Sequence, residues 1–285
     1  MKVVAGSASQ MLGKGLSEVL KCGLVKVESK RFPDSEFYAR ILSAIKGEDV
    51  VVVQNTYPDQ NLVELVILQD AARRAGARRI ITVVPYFGYA RQDKQFLPGE
   101  AISASALAKL IEAHSDATVT VDLHNLNTLA AFSKPAANAS VMKAIGEFLK
   151  GKADVILSPD KGSIDRAREA AQAAGAQFDH LEKKRLDGST VRMTPKALDV
   201  GGRRVAIVDD IIATGGTMMK AAEQLRAQGA TRVMAVCTHG LFTGGALEKL
   251  RQAFDEIDAC DTLETPASTI SAAGSIAAEI YKIHA

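Results

Sequence analysis

The stretch Val205-Ala206-Ile207-Val208-Asp209-Asp210-Ile211-Ile212-Ala213-Thr214-Gly215-Gly216-Thr217 restricts the fold more than any other. Its opening apolar run reads as a buried parallel strand, the kind that lies between helical layers. Asp209 and Asp210 come at the carboxyl end of that run, and Thr214-Gly215-Gly216-Thr217 opens a helix expected to reach Gln228. Strand, acidic pair, glycine turn and helix N-terminus together suit an anionic sugar ligand. Turn amides and the helix dipole hold a phosphate that glycine lets come close. The carboxylates accept from vicinal hydroxyls. A generic turn of this composition more often does no more than cap the next helix. A nucleotide-binding loop of the Walker type fits poorly, because no Lys-Ser or Lys-Thr follows the glycines.

The same alternation runs through the chain. Strands are expected at Val50–Val53, Ile80–Val84, Val119–Val121, Val155–Leu157, Val205–Val208 and Val233–Cys237. Helices are expected at Leu62–Arg74, Ile102–Ala113, Ser163–Ala173, Thr217–Gln228 and Gly274–Ile283. Such a pattern predicts an α/β fold of mainly parallel sheets flanked by helices. A length of 285 residues suggests two domains. The pattern recurs in two halves, with a boundary placed near residue 140 around Lys134-Pro135-Ala136-Ala137-Asn138. Domains 1–140 and 141–285 are therefore expected, with the last helix free to pack on the first.

With 35 Lys and Arg against 33 Asp and Glu, the net charge is +2, which supplies no global field for nucleic acid or a membrane surface. No apolar run is long enough to span a bilayer, and the opening Met1-Lys2-Val3-Val4-Ala5-Gly6 is too short for a signal-peptide core. It reads as a first strand entering a Gly-Ser turn. Cys22, Cys237 and Cys260 lack metal or redox spacing and suit reduced thiols in a cytoplasm.

Other segments gain meaning in combination. In Arg31-Phe32-Pro33-Asp34-Ser35-Glu36-Phe37 an aromatic ring that could stack on a base stands beside two acceptors. Alone it reads as a Pro-Asp turn with a packed Phe. Pro85-Tyr86-Phe87-Gly88-Tyr89-Ala90-Arg91-Gln92-Asp93-Lys94 follows a buried strand, where α/β proteins bind ligands. His124 ends Val121-Asp122-Leu123-His124, and Asp160 lies in Ser158-Pro159-Asp160-Lys161-Gly162. Their separation is no metal signature. Beside nucleotide phosphates, though, such groups could orient magnesium, which keeps several waters. Lys183-Lys184-Arg185 precedes Leu186-Asp187-Gly188, normally a solvated loop, and near phosphates a loop that neutralises developing charge.

Taken in order, these motifs resemble the ribose-phosphate diphosphokinases, or phosphoribosyl-diphosphate (PRPP) synthetases, over nearly the whole chain, and most closely their short archaeal-type branch. The resemblance implies two phosphoribosyltransferase-like domains, an ATP side at 1–140 and a ribose 5-phosphate side at 141–285. It implies that Phe32, Asp34 and Glu36 hold the adenosine of ATP, commonly in a neighbouring subunit's site, so that the enzyme is a homo-oligomer. Arg91, Gln92 and Lys94 would line the nucleotide, while His124 and Asp160 support Mg2+. Asp209 and Asp210 would take the ribose diol, with Ala213, Thr214, Gly215, Gly216 and Thr217 around the 5-phosphate. Lys183 and Arg185 match the catalytic cations, and Lys184 the variable position between them.

The implied reaction moves the diphosphoryl group of ATP to the 1-hydroxyl of ribose 5-phosphate. Type I phosphoribosyltransferases share the acidic-glycine loop but do not need the Phe-Pro-Asp-x-Glu turn or Arg-Gln-Asp-Lys segment. A non-catalytic regulatory subunit is a third reading, opposed by the intact Lys183, Arg185, His124 and Asp160. Two departures from the family pattern stand out. Ala213 replaces an Asp of many relatives, and Gln95-Phe96-Leu97-Pro98-Gly99-Glu100 lacks the Ser-Arg pair of allosterically controlled ones.

Overall fold

A computed structural model describes residues 1–185 and 191–284, excluding the side chains of 183–185 and 191–193. The chain divides into two compact units. The first comprises Met1–Ser140, Thr262–Glu264 and the segment that starts at Ser271; the second comprises Val141–Asp261 and Thr265–Ile270.

The first unit begins with β1 (Lys2–Ala5), α1 (Gln10–Val19) and β2 (Gly23–Leu24), followed by the hairpin strands β3 (Val27–Arg31) and β4 (Phe37–Ile41). Then come β5 (Asp49–Val53), α2 (Asp59–Arg74), β6 (Arg79–Val84), α3 (Ser103–Glu112), β7 (Ala117–Val121) and β8 (Ala136–Ala139). Its main sheet is parallel, in the order β2-β1-β5-β6-β7-β8. Every residue of β5 and β7 is buried, as strands covered on both faces require. The first unit's opening segment ends at Ser140, beside the boundary expected near residue 140, and within the expected stretch 134–138 the residues from Ala136 on form the edge strand β8, hydrogen-bonded to β7.

The second unit runs α4 (Met142–Leu149), β9 (Val155–Ser158), α5 (Ile164–Ala174), β10 (Gln177–Arg185), β11 (Val191–Pro195) and β12 (Arg204–Ile212). It continues through α6 (Gly216–Ala227), β13 (Arg232–Gly240), α7 (Ala246–Ala253), β14 (Glu256–Cys260) and β15 (Ser268–Ile270). The sheet order is β11-β10-β9-β12-β13-β14-β15, with only β11 antiparallel to its neighbour. The acidic pair does not end its strand: β12 extends past Asp209 and Asp210, because Ile211 and Ile212 still pair with His239 and Gly240 of β13. The last helix, α8 (Ala273–His284), belongs to the first unit and packs on α1, β7 and β8. No helix among the described residues is long and apolar enough to cross a membrane.

Candidate functional site

In the second unit the chemistry collects at the carboxyl ends of β9, β12 and β13. Asp210 is buried and pairs with Arg166 of α5, Nη2 to Oδ2 at 3.4 Å, while Asp209 Oδ1 accepts the Asp210 amide at 2.9 Å. Burial pushes the Asp209 carboxyl well above its ordinary value, the adjacent Asp210 charge adds to this, and Arg166 opposes it. Burial likewise pushes up the thiol of Cys237, which stands opposite Asp209 on β13.

Helix α6 begins without a side-chain cap: its N-cap is Gly215, in the left-handed region at φ 73°. The first-turn amides are thus not taken by a capping side chain, the arrangement that binds phosphate. A side chain on Gly215 would be strained there and would also meet Leu250 of α7 at 2.9 Å. The loop before the glycines is stitched from the next strand. Leu241 and Phe242 amides donate to the Ile212 carbonyl at 3.0 and 3.1 Å, and Thr243 donates to Ala213 at 3.1 Å. Phe242 adopts φ 44° to do so.

Asp160, exposed after β9, accepts the amides of Gly162 and Ser163 through Oδ1, at 2.8 and 3.2 Å. Lys183 and Arg185 stand in β10; their side chains, and residues 186–190, lie outside the described residues.

In the first unit, β6 and β7 are neighbours, so the loop carrying Arg91–Lys94 and the end carrying His124 share one sheet edge. Asn125 ties them together, its Nδ2 donating to Asp93 Oδ2. Arg91, Lys94 and His124 are exposed. Gln92 turns inward to hold its own loop, Nε2 donating to the Lys94 carbonyl at 3.2 Å and Glu100 at 3.4 Å. Tyr89, at φ 65°, donates its hydroxyl to both Asp59 oxygens at 2.9 Å.

Phe32, Asp34 and Glu36 lie in the five-residue turn between β3 and β4. Phe32 is 42% exposed and meets Tyr38 edge-on at 6.2 Å, so it is not the packed core residue a bland turn would hold. The Phe32 amide donates to the Glu36 carbonyl at 2.9 Å, and Asp34 Oδ1 accepts the Glu36 amide at 3.1 Å. The turn therefore presents an open ring beside two carboxylates.

Residues 1–114 match the family described as the N-terminal domain of ribose phosphate pyrophosphokinase, and residues 132–268 match the phosphoribosyl transferase domain. The chain is 44% identical to a ribose-phosphate pyrophosphokinase of Methanopyrus kandleri, across 99% of both chains. This chain belongs to the ribose-phosphate pyrophosphokinase family. It is also 43% identical to the Pyrococcus furiosus pyrophosphokinase, over 94% of this chain and 96% of that one. The crystal structure of phosphoribosylpyrophosphate synthetase from Mycobacterium smegmatis is similar with a TM-score of 0.84 and 28% identity, over 99% of this chain and 98% of that one. A pyrophosphokinase of two α/β units with mainly parallel sheets is what the motif order implied.

Within this pyrophosphokinase, sequence reading passed over two charges. Arg166 looked like any cation on a solvated helix, and Glu64 on α2 like any helical acid. Ala167, Ala170, Ala171 and Ala174 mark the buried face of α5, but Asp165, Arg168 and Glu169 beside Arg166 make it read as one more surface charge.

Proposed function

We propose that this pyrophosphokinase transfers the diphosphoryl group of ATP to the 1-hydroxyl of ribose 5-phosphate, giving PRPP and AMP. The observation that carries this is the full-length identity to enzymes of that name. A phosphoribosyltransferase acting on PRPP would leave the match of residues 1–114 without a role.

Ribose 5-phosphate would place its phosphate over the uncapped start of α6, held by Ala213, Thr214, Gly215, Gly216 and Thr217, with Asp209 and Asp210 accepting from the ring hydroxyls. Support comes from the open helix end and from Arg166, which favours the ionised form of the acidic pair. ATP would lie along Arg91 and Lys94, with Gln92 fixing their loop. Its adenosine would be held by Phe32, Asp34 and Glu36 from a neighbouring copy.

The 1-hydroxyl oxygen forms a bond to the β-phosphorus as the bond from that phosphorus to the α,β-bridging oxygen breaks; AMP leaves with that oxygen and its electron pair, and the hydroxyl proton passes to solvent. Such a transfer depends on positioning and charge neutralisation. Lys183 and Arg185 would supply the cations. Among the described residues no three His, Cys, Asp or Glu come together as a metal cage. His124 and Asp160 fit a looser role, because a hard cation arriving on phosphate oxygens keeps water and needs few protein groups. Mg2+ held at either residue would offset phosphate charge. A cytoplasmic setting accords with this reading.

Incubation with ATP, magnesium and ribose 5-phosphate should release AMP and PRPP in equal amounts. Absence of AMP across a range of phosphate and metal concentrations would reject the assignment. The shared nucleotide site requires at least a dimer, and sedimentation showing an active monomer at assay concentration would reject that part alone.

A further inference from the structure

Glu64 is 1% exposed, yet it faces a cavity of about 310 Å³ at the end of β1, lined also by Gly6, Ser7, Gln10 and Phe37. A carboxylate so deeply buried is retained only when its oxygens are satisfied. Two hydrogen bonds and an ion pair do this. The Ser7 amide reaches Oε1 at 2.6 Å, the Ser7 hydroxyl reaches Oε2 at 2.8 Å, and Arg31 Nη2 approaches Oε2 at 3.5 Å. Arg31 is the last residue of β3, immediately before the Phe32–Glu36 turn. Its guanidinium lies over the Phe37 ring at 5.2 Å and donates through Nη1 to the Ser35 carbonyl at 3.3 Å. Ser35 itself is held at φ 73°, unusual for a residue with a side chain.

A continuous path of contacts therefore runs from the rigid sheet edge, through Glu64 and Arg31, to the strained centre of the turn. Among the described residues β3 and β4 hydrogen-bond as strands only to each other, and Val27, Phe37, Ala39 and Ile41 pack one face of the hairpin on the core of the first unit; the Glu64–Arg31 pair is the polar link that reaches the turn itself. A two-stranded hairpin needs packing to be stable; the apolar face holds the strands, and the Arg31 fork holds the turn that follows β3.

We infer that Glu64 and Arg31 are positioning residues for nucleotide binding: they fix the Phe32–Glu36 turn in the shape that receives adenosine. The inference rests on the assignment of that turn to ATP. A fork-shaped guanidinium is required, since it must meet a carboxylate, a ring face and a carbonyl together. Neither residue reaches the reacting atoms, so binding is affected rather than the chemical step.

Initial rates with Arg31→Ala and Glu64→Gln should show KM for ATP raised about tenfold, kcat within about twofold of the parent and KM for ribose 5-phosphate unchanged. Arg31→Lys should recover part of the loss, because charge returns without the fork. Equal rises in both KM values, or a fall in kcat alone, would overturn the inference and assign the pair to general stability. Because Glu64→Gln could unfold the protein, Arg31→Ala at the half-exposed end of the pair carries the test by itself. Phe32→Ala is measured alongside. If it leaves KM for ATP unchanged, the turn's assignment to ATP fails. If it raises KM while Arg31→Ala does not, the positioning inference fails and the assignment stands.

Discussion

Asp209 sets binding against stability within one side chain. Burial first, then the Asp210 charge, lifts its carboxyl well above the ordinary Asp value. A group whose folded pKa is raised stabilises the fold in full below its unfolded pKa, and that contribution is lost as pH climbs through the folded value. Asp209→Asn should therefore raise the melting temperature of the ligand-free protein at about pH 8 and change it little below about pH 4. The same substitution puts an amide where a carboxylate would take ribose hydroxyls, and KM for ribose 5-phosphate should rise by roughly tenfold or more. Thermal melts at the two pH values with steady-state kinetics check both halves; a variant less stable at the higher pH would contradict the burial penalty. Under the proposed assignment, which rests on their place in the motif, Lys183 and Arg185 would act by charge. Either Lys183→Ala or Arg185→Ala should lower kcat by about a hundredfold with smaller changes in KM, whereas Lys184→Ala should do far less. Equal effects at all three positions would make the segment a general electrostatic patch.

Helix contacts carry constraints that propensity does not express. Gly146 lies in α4 where α5 crosses closely, and an added Cβ would run into the Ala170 carbonyl oxygen and stand 2.6 Å from the Ala173 Cβ. Alanine is favoured over glycine in a helix interior by up to about 1 kcal/mol. Overpacking costs about 1–3 kcal/mol and here presses on backbone, which cannot swing aside. Gly146→Ala should therefore destabilise the second unit by a net of about 1 kcal/mol or more, read as an earlier midpoint in urea denaturation. A later midpoint would mean that α4 and α5 separate at little cost. The loop 95–100 shows a comparable closure. Glu100 accepts the Phe96 and Leu97 amides at 2.8 and 3.0 Å, and these backbone bonds pull its carboxyl below the usual range.

For the whole molecule, that closure bears on regulation. A site for a nucleoside diphosphate outside the active centre needs donors against its phosphates, commonly arginine. The resemblance implies a Ser-Arg pair in this segment of regulated family members; here the Phe96 and Leu97 amides are occupied by the Glu100 carboxylate. ADP still resembles ATP and should compete with it at the active site. Initial rates over a matrix of ADP and ATP should show inhibition that disappears as ATP rises, without sigmoidal dependence. Cooperative inhibition that persists at saturating ATP would reveal a second site.

The alternation of strands and helices was legible because β-branched runs such as Val50–Val53 and Ile80–Val84 are long, apolar and bounded. The sugar-phosphate cradle was legible for a related reason: Asp209, Asp210 and Thr214–Thr217 are consecutive, so their chemistry is local. The hairpin β3–β4 was not foreseen as a separate sheet, since the alternation Phe37, Ala39, Ile41 that faces the core is short and β3 opposite it is mostly exposed and polar. Glu64 and Arg166 were invisible because an acid or a base on a helix reads as solvated unless its partner is known. Ser7, the partner that buries Glu64, stands 57 residues away. Motif order, carried by neighbours along the chain, was therefore enough to identify the family and to propose the cradle. Which charges become buried anchors was decided only by folding, because that depends on distant segments meeting out of water.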